Sequence, residues 1–221
     1  MSSSDAHAHA RPVHPNLAEH FETIEKQDHA VRLGMWLFLG TEVLLFAGLF
    51  LGYTVYRHFY HDAFHHCSRA LDITYGTINT LVLITSSLSV ALAYWAVKVG
   101  KIKLALGMLA FTIACAGLFL FIKYLEYSHK FHVGELPGKW FTNAELMRYP
   151  GANLYFTIYF LTTGLHAFHV IVGMTVLLWV TKGIWKGRYT PDYYVPVELG
   201  ALYWHLVDLV WIFLFPLLYL I

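Results

Sequence analysis

The chain has 221 residues, of which 57% are hydrophobic and 13% charged, with a formal net charge of +1 and a mean hydropathy of +0.52. A soluble domain carries about 25% charged residues, so this composition marks an integral membrane protein with little length left for a soluble catalytic domain. It also shows no basic footprint for nucleic acid, and two cysteines, Cys67 and Cys115, support neither a disulfide framework nor a thiolate metal site.

Residues 1–28 are polar and rich in Ser, Ala and His. They lack an apolar core followed by a small-residue cleavage site, and read as a polar cytoplasmic tail rather than a signal peptide. His7, His9 and His14 lie there, but an unsupported tail does not fix coordination geometry.

Residues 29–221 read as one membrane domain. A span needs about 20 mostly apolar residues. The first predicted span covers residues 31–56 and carries one charge, Glu42, near its middle. The second covers 77–97, with Thr85-Ser86-Ser87, Ser89, Ala91 and Ala93 as small packing residues, and the third covers 104–122. A longer loop follows, from Lys123 to Asn153, with Pro137-Gly138 and Pro150-Gly151, and is expected along the outer surface. The fourth span, 154–181, contains His166 and His169; the fifth, 197–221, contains Trp204, His205, Asp208 and Trp211. Continuous apolar runs of this length predict an all-α bundle of five transmembrane helices, since barrel strands are shorter and alternate.

Lys and Arg set the orientation. With the N-terminus inside, the inner segments hold Arg11, Lys26, Arg32, Lys98, Lys101, Lys103, Lys182, Lys186 and Arg188. The outer segments hold Arg57, Arg69, Lys123, Lys130, Lys139 and Arg148. The denser inner loops predict a cytoplasmic N-terminus and a periplasmic C-terminus.

Polar residues at bilayer depth are costly unless partnered. Glu42 must be protonated, hydrogen-bonded or ion-paired, as a proton relay, a lipid or partner contact, or a plain interhelix bond. His166 and His169 are three apart, as are His205 and Asp208, so each pair shares a helix face. A His–Asp pair can fix a tautomer and bond across to another helix. A di-haem bundle places two histidines on each of two helices, separated by several turns, so that each haem is held from both sides, and a metal cluster needs three or four converging donors. The spacing favours structural or interface hydrogen bonding over either. No phosphate loop, dinucleotide motif, zinc-protease helix or nucleophile elbow is present.

Four stretches carry a resemblance to a known family. Tyr203-Trp204-His205-Leu206-Val207-Asp208-Leu209-Val210-Trp211 and Thr163-Gly164-Leu165-His166-Ala167-Phe168-His169-Val170-Ile171-Val172-Gly173 resemble stretches of subunit III of the haem-copper terminal oxidases. Leu39-Gly40-Thr41-Glu42-Val43-Leu44-Leu45-Phe46 resembles that family's helix with an embedded carboxylate, and Ile78-Asn79-Thr80-Leu81-Val82-Leu83 the start of its next helix. The matches fall in the family's order across Arg32 to Tyr219. The chain resembles the five-helix bacterial form, which lacks the first two helices of the seven-helix form.

The resemblance implies a non-catalytic subunit of a proton-pumping cytochrome c oxidase in a bacterial inner membrane. Haem and copper are then expected in subunits I and II and none on this chain. The subunit would pack on subunit I, bind phospholipid, and support proton uptake and stability during turnover, within the oxidase alone or a larger respiratory supercomplex. Glu42 matches the carboxylate near the family's lipid cleft, and His166, His169, His205 and Asp208 match its structural polar positions, with Trp204 among them. Lys182, Arg188 and Glu198 lie where charged residues flank the last two helices. The alternatives are subunit III of a quinol oxidase or a related protein associated with nitric oxide reduction. An independent transporter or membrane cytochrome would need broken helices at the midplane or a bis-His pair, and neither is visible.

Overall fold

A computed structural model describes residues 16–220; His7, His9 and His14 of the N-terminal tail and Ile221 lie outside the described residues. The described residues form six α-helices. These are α1 (Ile24–Phe59), α2 (His61–Arg69), α3 (Ile73–Lys98), α4 (Ile102–Val133), α5 (Ala152–Trp185) and α6 (Val195–Tyr219). All but α2 are long and apolar enough to cross a membrane.

Helices α3, α4, α5 and α6 close into a ring in which each packs against its two neighbours. Each presents a stripe with steps of three and four residues. On α3 it is Leu83, Ser86, Val90, Ala93 and Val97; on α5 Tyr155, Tyr159, Thr162, His166, His169, Gly173, Leu177, Val180 and Ile184. Apolar burial gives no drive in lipid, so association rests on close van der Waals packing, which small residues permit. Gly173 is one such place: a Cβ there would meet the Trp204 ring at 2.9 Å.

The α4 stripe runs Ala105, Leu109, Thr112, Ala116 and Phe119, then continues in the same register through Lys123, Glu126 and Lys130, all buried. The expected loop from Lys123 therefore begins as three further turns of helix. Gly134 ends α4 in the left-handed region (φ 75°), where its N–H bonds the Lys130 carbonyl. The remaining connection turns inward at Phe141 and Leu146, both buried.

Helix α1 lies outside the ring against α5 and α6. Only 11% of its apolar window is buried, against 50% for α6. Its buried residues are Leu39, Phe46 and Tyr53, seven residues apart, with Met35, Leu49 and Phe50 packed partly buried beside them, a narrow seam. Thr23 caps its start, accepting from the Lys26 N–H. Short α2, absent from the sequence-based prediction, folds back with Ala63, Phe64 and Cys67 buried.

Candidate functional site

The polar groups of the bundle fall at three depths. At mid-depth, Glu42 of α1 meets His169 of α5, with Oε2 2.8 Å from Nε2. The other ring nitrogen, Nδ1, lies 2.8 Å from the Leu165 carbonyl. A carbonyl only accepts, so Nδ1 carries a hydrogen. The Glu42–His169 bond then has two forms: a protonated carboxyl donating to a bare Nε2, or a carboxylate accepting from an imidazolium. They differ by one proton moved along one hydrogen bond.

Trp204 and Trp211 tie α6 to α3. The Trp204 Nε1–H donates to Ser86 Oγ at 3.0 Å, and the Trp211 Nε1–H to Thr80 Oγ1 at 3.0 Å. His205 Nδ1 lies 2.8 Å from Ser87 Oγ. From Trp204 to Trp211, two turns along α6, the partner on α3 moves back from Ser86 to Thr80, the register of antiparallel neighbours. The expected His205–Asp208 pair does share a helix face, but His205 bonds across to α3. The Asp208 carboxyl is buried with neither oxygen hydrogen-bonded.

His166 and His169, adjacent on the stripe, part company. His169 reaches α1, whereas His166 packs its ring against Phe119 and Trp211, at centroid distances of 5.4 and 5.2 Å. Neither His166 nitrogen has a hydrogen-bond partner. Among the described residues no three of His, Cys, Asp or Glu converge as metal ligands, and the surroundings of His166 are aromatic faces rather than donors.

Toward the predicted outer side lies a cluster that sequence reasoning missed. Lys123 Nζ donates to Glu126 Oε2 at 2.9 Å and to the hydroxyls of Tyr159 and Tyr219 at 3.1 and 2.8 Å. Both tyrosines donate onward to Glu126 Oε1, each at 2.7 Å. Three helices thus share one closed network of an ion pair and two phenols. A turn further, Lys130 pairs with Glu135 at 2.8 Å, and the Asn143 amide donates to the same carboxylate at 3.3 Å. Cys67, on α2, lies close enough that Glu135 and Lys130 affect it, but burial dominates and pushes its thiol up to about 12.

At the predicted inner end, Arg32 of α1 makes a two-pronged contact with Glu198 of α6, Nε to Oε1 at 3.2 Å and Nη2 to Oε2 at 2.9 Å. Glu198 is therefore committed to α1. Lys182 and Arg188 gather elsewhere, with Lys186, Trp179, Gly183 and Tyr189, around a cavity of ≈ 150 Å³. Among the described residues no carboxylate pairs with these three cations.

Five apolar helices long enough to cross a membrane, tied to one another by hydrogen bonds such as Glu42–His169, Trp204–Ser86 and Trp211–Thr80, define a polytopic membrane protein. The family model described as cytochrome c oxidase subunit III matches residues 16–221. The chain belongs to that family, within the haem-copper oxidases. It is 30% identical over 193 residues to cytochrome c oxidase subunit 3 of Thermostichus vulcanus, covering 86% of each chain. It is 31% identical over 206 residues to the Marchantia polymorpha subunit 3, covering 86% of this chain and 68% of the relative. A haem-copper oxidase subunit I+III of Aeropyrum pernix is 29% identical over 197 residues; the match takes in 86% of this chain and 23% of that longer one.

Proposed function

We propose that the chain is the non-catalytic subunit III of a proton-pumping cytochrome c oxidase, packed on subunit I, with the haem and copper held by subunits I and II. The observation that carries this reading is the way its intramembrane histidines are engaged. His169 bonds Glu42 and Leu165, His205 bonds Ser87 through Nδ1, and His166 packs against aromatic rings. Such side chains build interhelix contacts. The fused Aeropyrum pernix relative, whose name joins subunits I and III, supports subunit I as the neighbour.

Glu42 and His169 form a proton-holding pair at the edge of the bundle, beside the loosely packed α1. This supports a role in proton uptake by the neighbouring subunit and in its stability during turnover. The basic cavity at Lys182, Lys186 and Arg188 suits an anionic phospholipid head group. Its position also supports a cytoplasmic face there. The protein would then sit in a bacterial inner membrane with its N-terminus inside.

The test is to delete the chain from its host and follow oxygen uptake by the remaining oxidase. The reading expects normal initial turnover that decays faster than in the parent, restored by the wild-type chain. An oxidase that turns over with unchanged lifetime would remove the supporting role.

A further inference from the structure

We infer that the groove between α3 and α6 is a seat for a transmembrane helix of a partner chain in the complex. The helix would bring a hydrogen-bonding side chain to His205 at mid-membrane. This rests on the reading of the chain as an oxidase subunit.

Helix α3 contributes Ile84, Ser87, Leu88 and Ala91 to the groove, and α6 contributes His205, Asp208, Leu209 and Ile212. Each set follows the spacing i, i+3, i+4, i+7, so the groove runs along two helices for about two turns, or about 10 Å. Its volume is ≈ 450 Å³. Leu88 is 63% exposed, and Ile84, Leu209 and Ile212 are about half exposed, so the trough opens on the outside of the bundle. Two apolar ridges flanking a trough with small Ala91 and Ser87 at its floor match the grooves into which helices pack.

The floor is polar, and its bonding is incomplete. Ser87 engages His205 through Nδ1, which leaves Nε2 with no bonded partner among the described residues. Behind it, Ser87 also lies beside Asp208, whose buried carboxyl oxygens have no hydrogen-bond partner. Buried polar groups left unbonded at this depth are costly. His205 and Asp208 lie near the middle of α6, and Ser87 near the middle of α3. A lipid head group stays at the interface, and an acyl chain offers no polar atom. A neighbouring helix reaches that depth with both an apolar surface and a polar side chain, which is what the groove is built to meet.

The experiment places the photo-crosslinker benzoylphenylalanine at Leu88 and, separately, at Ile212. Both positions are exposed, so the fold tolerates them. The tagged variants are purified with the intact oxidase in mild detergent and illuminated. The inference expects both positions to give an adduct with one and the same membrane subunit. It also expects His205→Ala to lower the chain retained by the complex at least several-fold after a detergent wash, with His205→Asn restoring part of it. A haem-bearing complex that holds the chain while Leu88 and Ile212 crosslink only to lipid would overturn the inference and leave the subunit reading intact. Recovery of the wild-type chain without any haem-bearing partner would overturn both.

Discussion

Glu42 and His169 lie 127 positions apart and meet at 2.8 Å, joining α1 to α5. Helix α1 has few other anchors: the seam of Leu39, Phe46 and Tyr53, and the Arg32–Glu198 pair nearer its start. Interhelix hydrogen bonds in membranes contribute on the order of 0.6 kcal/mol and at most about 1.7. Glu42→Ala should therefore cost about 1 kcal/mol and show itself locally. The expected result is faster hydrogen exchange over the middle of α1 with little change in α3 to α6, and a smaller effect for Glu42→Gln, which keeps a bonding group. Uniformly raised exchange would mean that the pair holds the whole bundle.

The Lys123–Glu126 network predicts strong non-additivity. Removing one partner of a buried pair leaves an uncompensated charge and costs about 3–5 kcal/mol, whereas replacing both with apolar residues is often neutral. Glu126→Leu alone should markedly lower the thermal midpoint of the purified protein. Adding Lys123→Met should recover a large part of the loss, short of full recovery because Tyr159 and Tyr219 lose their acceptor. Additive losses would show that the two charges do not form a unit.

Gly173 predicts a purely steric effect. A Cβ at this position would lie 2.9 Å from one Trp204 ring carbon and 3.0 Å from the next. Trp204 is held on its far side by Ser86, so the ring has little freedom to retreat. Gly173→Ala should cost about 1–3 kcal/mol through overpacking, and Gly173→Val more. Gly48→Ala on α1, where nothing lies within 4 Å of the new Cβ, serves as the control and should melt like wild type.

Cys67 gives a prediction about pH. Burial raises its thiol to about 12, and only the thiolate reacts. The folded protein should therefore resist maleimide at Cys67 from pH 6 to 9 and react once unfolded in detergent. Labelling at pH 8 within minutes would show that α2 opens away from the bundle.

The five spans were legible because a run of apolar residues is a local property. Hydropathy failed at the end of α4, where Lys123, Glu126 and Lys130 resemble the start of a loop. The spacing tells more there: those three residues continue the buried stripe from Ala105 without a break in register. A charge falling on the core side of a helix is a sign of a buried partner, and that signal was available in the sequence. Short α2 was missed because its apolar face is only Ala63, Phe64 and Cys67, too little for a span and too short for a clear period. The costly intramembrane residues could be singled out from the sequence, but their partners could not. Glu42 with His169, Arg32 with Glu198, and His205 with Ser87 are separated by more than 100 positions, and no local pattern encodes such pairings. His166 and His169 share a spacing yet face different helices, because a stripe on α5 wide enough to touch both α1 and α4 distributes neighbouring positions between them.

The most direct test of the central claim is to purify the tagged chain from its native membrane in mild detergent. The reduced-minus-oxidised spectrum is then recorded, with oxygen uptake on cytochrome c and on a quinol. Haem bands that travel with partner chains are expected, with oxygen uptake driven by cytochrome c. Uptake driven by quinol alone would reassign the electron donor. A colourless chain that stays solitary across several gentle detergents would contradict the assignment to an oxidase complex.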